Sequence, residues 1–193
     1  MYRKCFIGLL FLTSFTMLKG QFIYLTNSSF EGEPQDATVP VGWFPCAPGT
    51  TPDILPGPWG IHLESSDGDT FLGLITRDDG SYESISQRFS TSLNPADCYS
   101  FTIDLAHSNN YAGYNSPLKV RIWGGAAKCG KDQLLLETGF IKNTDWKTFE
   151  VKFKPKKWLN YILIEAHYND SPTSAKGNIL MDNISPIKVC PRA

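Results

Sequence analysis

The chain has 193 residues, 18 of them basic and 19 acidic, for a formal net charge of −1. That length suits one domain once a leader is removed. A charge so evenly balanced, with Lys154–Lys157 as its longest basic run and Pro155 interrupting it, excludes the footprint of a nucleic-acid or anionic-membrane binder.

Residues 1–20 read as a signal peptide. Arg3 and Lys4 supply the positive start, Phe6 to Met17 are mostly apolar, and Gly20 is a small residue at a plausible cleavage point before Gln21. The apolar stretch is too short for the ~20 residues that a membrane span needs, and nothing later approaches that length. The mature chain, 21–193, is therefore expected to be one exported domain, secreted or at the cell surface. Cys5 leaves with the leader, and Cys46, Cys98, Cys129 and Cys190 remain. An even number of cysteines in an exported chain implies two disulfides, with three connectivities open. Cys98 begins one predicted strand and Cys190 ends another, which suits a bridge between antiparallel neighbours. Cys46 and Cys129, both in Gly/Pro-rich loops, then pair by elimination.

In chain order, Phe22–Leu25 is a short β-prone opening, and Gly32–Gly60 is a long loop rich in Pro and Gly. Trp59–Glu64 and Thr70–Thr76 read as strands around a turn at Asp67-Gly68. Asp79-Gly80 is a hairpin signal, followed by a strand over Glu83–Phe89. Glu83 and Gln87 share a face of it and are expected to pair by hydrogen bonds. Cys98–Ala106 alternates cleanly, with Tyr99, Phe101, Ile103 and Leu105 on one face and Ser100, Thr102 and Asp104 on the other. Ser108–Pro117 is a polar loop. Leu118–Trp123, Leu134–Ile141, Trp146–Phe153, Asn160–Tyr168 and Asn178–Ile187 complete about ten strands, with no amphipathic helix. Short strands joined by turn-rich loops predict an all-β, two-sheet antiparallel sandwich.

The closing strand carries Asp182 among Ile, Leu and Met, where an ionised carboxylate is costly without a partner. A polar stretch near the other end, Asn27-Ser28-Ser29-Phe30-Glu31-Gly32, offers one. Oxygen ligands from two chain ends suit calcium, which takes six to eight oxygens in irregular geometry. Ser29, Glu31 and Asp182, with Asp67 and Asp69 of the turn, are the expected ligands of a structural ion. The two stretches, together with Gly42-Trp43, Thr51-Pro52-Asp53 and Ser65–Asp69, resemble the galactose-binding-like β-sandwich domains of secreted bacterial proteins, many of them carbohydrate-binding modules. The resemblance covers most of the chain after residue 21. It implies a jelly-roll with adjacent first and last strands, joined by a structural calcium.

Aromatic residues make up 13% of the chain, and several lie beside Gly, Pro and Asn, in loops where a core has no use for them. Sugars present flat C–H faces that stack on rings, and hydroxyls that pair with amides and carboxylates. Trp43, Trp59, His62, Asn109, Tyr111, Tyr114 and Trp158 are the expected glycan contacts, Tyr111 and Trp59 foremost. Catalysis is weakly signalled. Glu64, Glu83 and Asp53 form no pair with distinctive spacing, His62-x-Glu64 reads as surface neighbours, and neither a Gly-x-Ser-x-Gly elbow nor a His-Glu-x-x-His helix occurs. The expectation is non-catalytic recognition of a glycan. A structural or adhesive module with a cell-surface protein partner is the alternative, and a glycan hydrolase or lyase the third reading.

Overall fold

The computed structural model describes residues 22–169 and 175–191, so the predicted signal peptide lies outside the described residues. Thirteen strands are described: β1 (Phe22–Ile23), β2 (Phe44–Pro45), β3 (Asp53–Leu55), β4 (Phe71–Thr76), β5 (Ser84–Leu93), β6 (Tyr99–Ala106), β7 (Ser116–Pro117), β8 (Lys119–Gly125), β9 (Gln133–Glu137), β10 (Lys147–Phe153), β11 (Leu159–His167), β12 (Gly177–Asp182) and β13 (Ile187–Val189). They form two sheets. The larger runs β1-β13-β6-β12-β4-β3, with β10 also on β6 and β7 on β12, and the smaller runs β2-β5-β11-β8-β9. Every pairing is antiparallel except β7 with β12. This is the all-β, two-sheet sandwich that the alternation predicts.

The period of two builds the core directly. Phe101, Ile103 and Leu105 of β6, Leu72 and Leu74 of β4, and Ile162 and Ile164 of β11 meet between the sheets. A second, smaller apolar cluster lies on the outer face of the larger sheet. There Phe71, Ile75, Ala106 and Leu180 are covered by Ile61 and Tyr111 from two loops, 56–64 and 107–115. Those loops and that face position the candidate site.

Both predicted disulfides are present, Cys46–Cys129 and Cys98–Cys190. The first and last described strands are adjacent as expected, since β1 pairs with β13 through Phe22↔Lys188 and Ile23↔Ile187. Several readings differ from their predicted form, and the loop expected over Gly32–Gly60 carries the short strands β2 and β3. Trp59–Glu64 is no strand: Pro58–Gly60 makes a single 3₁₀ turn, with Trp59 at φ 58, and the chain after it stays irregular. The closing strand is two strands, because Asn183 turns left-handed at φ 51 directly after Asp182 and Pro186 has no N–H to give a ladder. Glu83 and Gln87 do not pair. Glu83 accepts from Arg77 at 2.7 Å and Ile75 N at 3.1 Å, whereas Gln87 holds the backbone of Thr26.

Candidate functional site

The two covering loops approach at Gly60, where a Cβ would stand 3.8 Å from the Asn110 amide nitrogen, and they shape two hollows on the outer face of the larger sheet. The first, about 370 Å³, is lined by Trp59, Tyr111, Tyr114, Asp53 and Arg77, with Thr51, Ile75, Ala37 and Ala112. The second, about 360 Å³, contains His62, His107 and Asn109.

In the first hollow Trp59 is the exposed ring, 48% accessible. The Pro58-Trp59-Gly60 turn directs it outward. Tyr111 forms the floor at 2% accessibility, its phenol donating to Asp53 Oδ2 at 2.5 Å. The other Asp53 oxygen accepts from Ala37 N at 2.9 Å. Burial first, and then the charge of Asp53 beside it, push the Tyr111 phenol far above its ordinary range, so it stays protonated. Tyr111 lies against Gly73, where a Cβ would stand 2.3 Å from its hydroxyl oxygen. Arg77 reaches the rim from the hairpin after β4 and closes an ion pair with the buried Glu83 at 2.7 Å. Burial raises the pKa of Glu83, although Thr51, Arg77 and Ile75 pull the other way. Three lining residues, Ala37 (φ 49), Trp59 (φ 58) and Ala112 (φ 48), hold left-handed backbone without being glycine. Such conformations cost of order 1–3 kcal/mol each and cluster at binding sites, where surrounding structure over-determines them.

The expected contacts thus divide. Trp59, Tyr111 and Tyr114 come together in one hollow, and His62 and Asn109 line its neighbour. Trp43 is elsewhere: it is 4% accessible in the core, packs at a tilt against Phe30 with ring centroids 5.2 Å apart and donates its indole N–H to Asn27 O at 3.0 Å. The Gly-Trp sequence reads as a loop ring only until its partner, Phe30, is seen. Trp158 is 56% accessible, but it sits in the β10–β11 turn, apart from both hollows. Tyr111 is a floor and a hydrogen-bond donor, not a stacking platform. Sequence reasoning missed Arg77, which its position near a hairpin signal concealed, and the role of Asp53 as partner to a distant tyrosine.

The expected calcium ligands also gather, around the loop 65–69. Ser29 Oγ donates to Asp67 Oδ2 at 2.6 Å. Glu31 accepts from Asp69 N at 3.1 Å and closes over Gly68, where a Cβ would stand 2.1 Å from its Oε1. Asp182 Oδ2 accepts from Ser66 N and Asp67 N, at 2.8 and 3.0 Å, and Oδ1 from Asn183 N at 2.7 Å. Burial pushes Asp182 up to about 6. These oxygens face N–H and O–H donors rather than one common point, and among the described residues no group of three or more His, Cys, Asp or Glu is placed to hold a metal ion. Calcium takes six to eight converging oxygens, and here the partners of these oxygens are N–H and O–H groups. Hydrogen bonds join the segments around Ser28 and Asp182 here, with Ile184 N on Ser28 O at 3.0 Å adding a main-chain link.

Among solved structures, the chain resembles the Stig cyclase FisC from Fischerella sp. TAU at 16% identity and TM-score 0.60, over 91% of this chain and 100% of that one. It resembles the CBM22-1 xylan-binding domain of Paenibacillus barcinonensis Xyn10C at 16% identity and TM-score 0.56, over 90% and 97%. The fold is the two-sheet β-sandwich that this xylan-binding domain also has. The K2 cleaved adhesin domain of Lys-gingipain shares it at 12% identity and TM-score 0.55, over 90% and 99%. Identities this low show the fold alone, and a sandwich shared by a cyclase, a xylan binder and an adhesin domain hosts unrelated functions. No protein-family model matches the chain, and no curated protein matches its sequence.

Proposed function

We propose that the protein is a non-catalytic glycan-binding module that takes a neutral sugar in the hollow between Trp59 and Tyr114. The observation that carries this reading is the exposed Trp59 ring, held in left-handed backbone above a floor of Tyr111 and Asp53. An indole beside carboxylate, guanidinium and hydroxyl groups is the composition that a pyranose needs. Glu83 already neutralises Arg77, which favours a neutral sugar over an acidic one. Asp53 and Glu83 both have protein donors on their oxygens, an arrangement that supports binding rather than acid–base work. Two disulfides suit an oxidising, extracellular setting.

A site with two rings gives millimolar to micromolar affinity, about −4 to −8 kcal/mol. Trp59→Ala removes an exposed side chain, so it should lower glycan affinity at least tenfold while leaving the melting temperature within a few degrees. A glycan array probed with wild type and Trp59→Ala is the test. An unchanged binding profile in the variant would sink this site.

A further inference from the structure

A third hollow, about 250 Å³, lies on the outer face of the smaller sheet and includes Tyr82, Trp123, Lys131 and Glu165 in its lining. It owes nothing to the loops that cover the larger sheet. Alternation places it: Val120 and Ile122 of β8, and Ile162 and Ile164 of β11, fill the core, so Trp123 and Glu165, each one residue further along, point away from it. The hairpin that follows β4 separates the two sites, with Arg77 at its first end and Tyr82 at its second.

The side chains are already organised around one buried carboxylate. Glu165 Oε1 accepts the indole N–H of Trp123 at 2.9 Å, and Oε2 accepts from Lys131 Nζ. The ammonium also donates to the Tyr82 hydroxyl at 3.0 Å, and lies 5.0 Å from the Tyr82 ring centroid and 5.8 Å from that of Trp123. Burial acts to lower the pKa of Lys131, but Glu165 and Tyr82 overcome it, so the lysine stays charged. Two half-exposed rings thus flank a fixed donor–acceptor pair on a rigid sheet. Lys131 is balanced by Glu165, and Arg121 at the edge by Glu137 at 2.6 Å, so the lining has little net charge to offer an acidic ligand.

We infer that this sheet face is a second saccharide site, specific for neutral sugars. Trp123 and Tyr82 would take the C–H face of one ring, and Glu165 and Lys131 would pair with neighbouring hydroxyls. Sites on both outer faces would let one chain bridge two glycan strands.

The test is an array of neutral and uronic-acid oligosaccharides, probed with wild type, Trp59→Ala, Trp123→Ala and Tyr82→Ala, with thermal melting of each protein as the folding control. Trp123 anchors Glu165, so Tyr82→Ala is the variant to use if Trp123→Ala does not fold. The expected result is a set of neutral glycans that Trp59→Ala retains and that the folded sheet-face variants lose at least tenfold. A folded sheet-face variant with the wild-type profile overturns the second site. So does loss of every glycan in Trp59→Ala, which would leave the loop hollow as the sole site, and so does preferential loss of uronic-acid ligands. Loss of every glycan in the sheet-face variants alone would instead keep the second site and remove the first.

Discussion

Tyr111 and Trp59 read alike in the sequence, as aromatic residues among polar and turn-forming neighbours, yet they do different work. Trp59 is free to meet a ligand, whereas Tyr111 is sealed beneath it with its hydroxyl on Asp53. Tyr111→Phe should therefore act on stability. It removes a donor from a buried carboxylate, leaving Ala37 N as the described partner of Asp53. A loss of about 1–3 kcal/mol is the ordinary cost of an acceptor left unsatisfied in this way. Urea unfolding checks it, and a variant as stable as wild type would show that water replaces the phenol. Gly73→Ala should be worse than its small size suggests. Its Cβ would be 2.3 Å from the Tyr111 oxygen, so Tyr111 must leave Asp53 or β4 must bend.

Among the elements, those with a strict period were legible and those made by tertiary partners were not. Tyr99, Phe101, Ile103 and Leu105 alternate because β6 has one face on the core, and β10 pairs with it from Lys147↔Leu105 to Phe153↔Tyr99. The same alternation marks β10, where Phe149, Val151 and Phe153 turn inward and Glu150 and Lys152 outward. Trp59–Glu64 also mixes apolar and polar residues, but Gly57 at φ 114 and Trp59 at φ 58 break it into a turn, a backbone choice that no period records. The sheet-face cluster escaped notice because Tyr82, Trp123, Lys131 and Glu165 lie on separate segments, and the sequence carries no signal for their meeting.

The loop 65–69 shows the same limit, and its acids make a pH prediction. Asp104 is buried, which acts to raise its pKa, but hydrogen bonds from Ser66, Thr148 and Asn183 win and lower it. A carboxyl with its folded pKa below its unfolded one stabilises the fold above the unfolded value, 3.8 here, and that contribution is lost as the pH falls through the folded pKa. Asp182, across the β6–β12 register from Asp104, has the opposite sign. Its contribution is whole below 3.8 and lost as the pH rises through about 6, so it cannot cause a fall below pH 4. Asp104→Asn should be less stable than wild type at pH 7, with the deficit shrinking towards pH 3. An equal deficit at both values would mean that the carboxylate charge does not matter. Since the clip is drawn with hydrogen bonds, melting should be the same in EDTA and in calcium. A calcium-dependent rise of several degrees would mean that Glu31 and Asp182 turn from their N–H partners to an ion.

For the whole molecule, the two disulfides divide the labour. Cys98–Cys190 closes 92 residues of sequence and fastens β6 to the end of the chain beside β13, in a sheet that β1, β10 and β12 already hold. Cys46–Cys129 closes 83 residues and ties the loop after β2 to the β8–β9 connection. Each loop is worth about 4 kcal/mol in the chain-entropy model, so removing either bridge should lower the melting temperature by a comparable amount. Their effects on binding should differ. Cys129 lies two residues before Lys131, at φ 59, so its bridge helps to set where the lysine meets Glu165 and Tyr82. The double variant Cys46→Ser with Cys129→Ser should weaken retention by the sheet-face hollow and spare the Trp59 hollow, whereas Cys98→Ser with Cys190→Ser should lower stability and leave both binding profiles intact at a temperature where the protein is folded. Equal binding losses from the two double variants would mean that the bridges act only through global stability, and that Lys131 is placed by its ion pair with Glu165 alone.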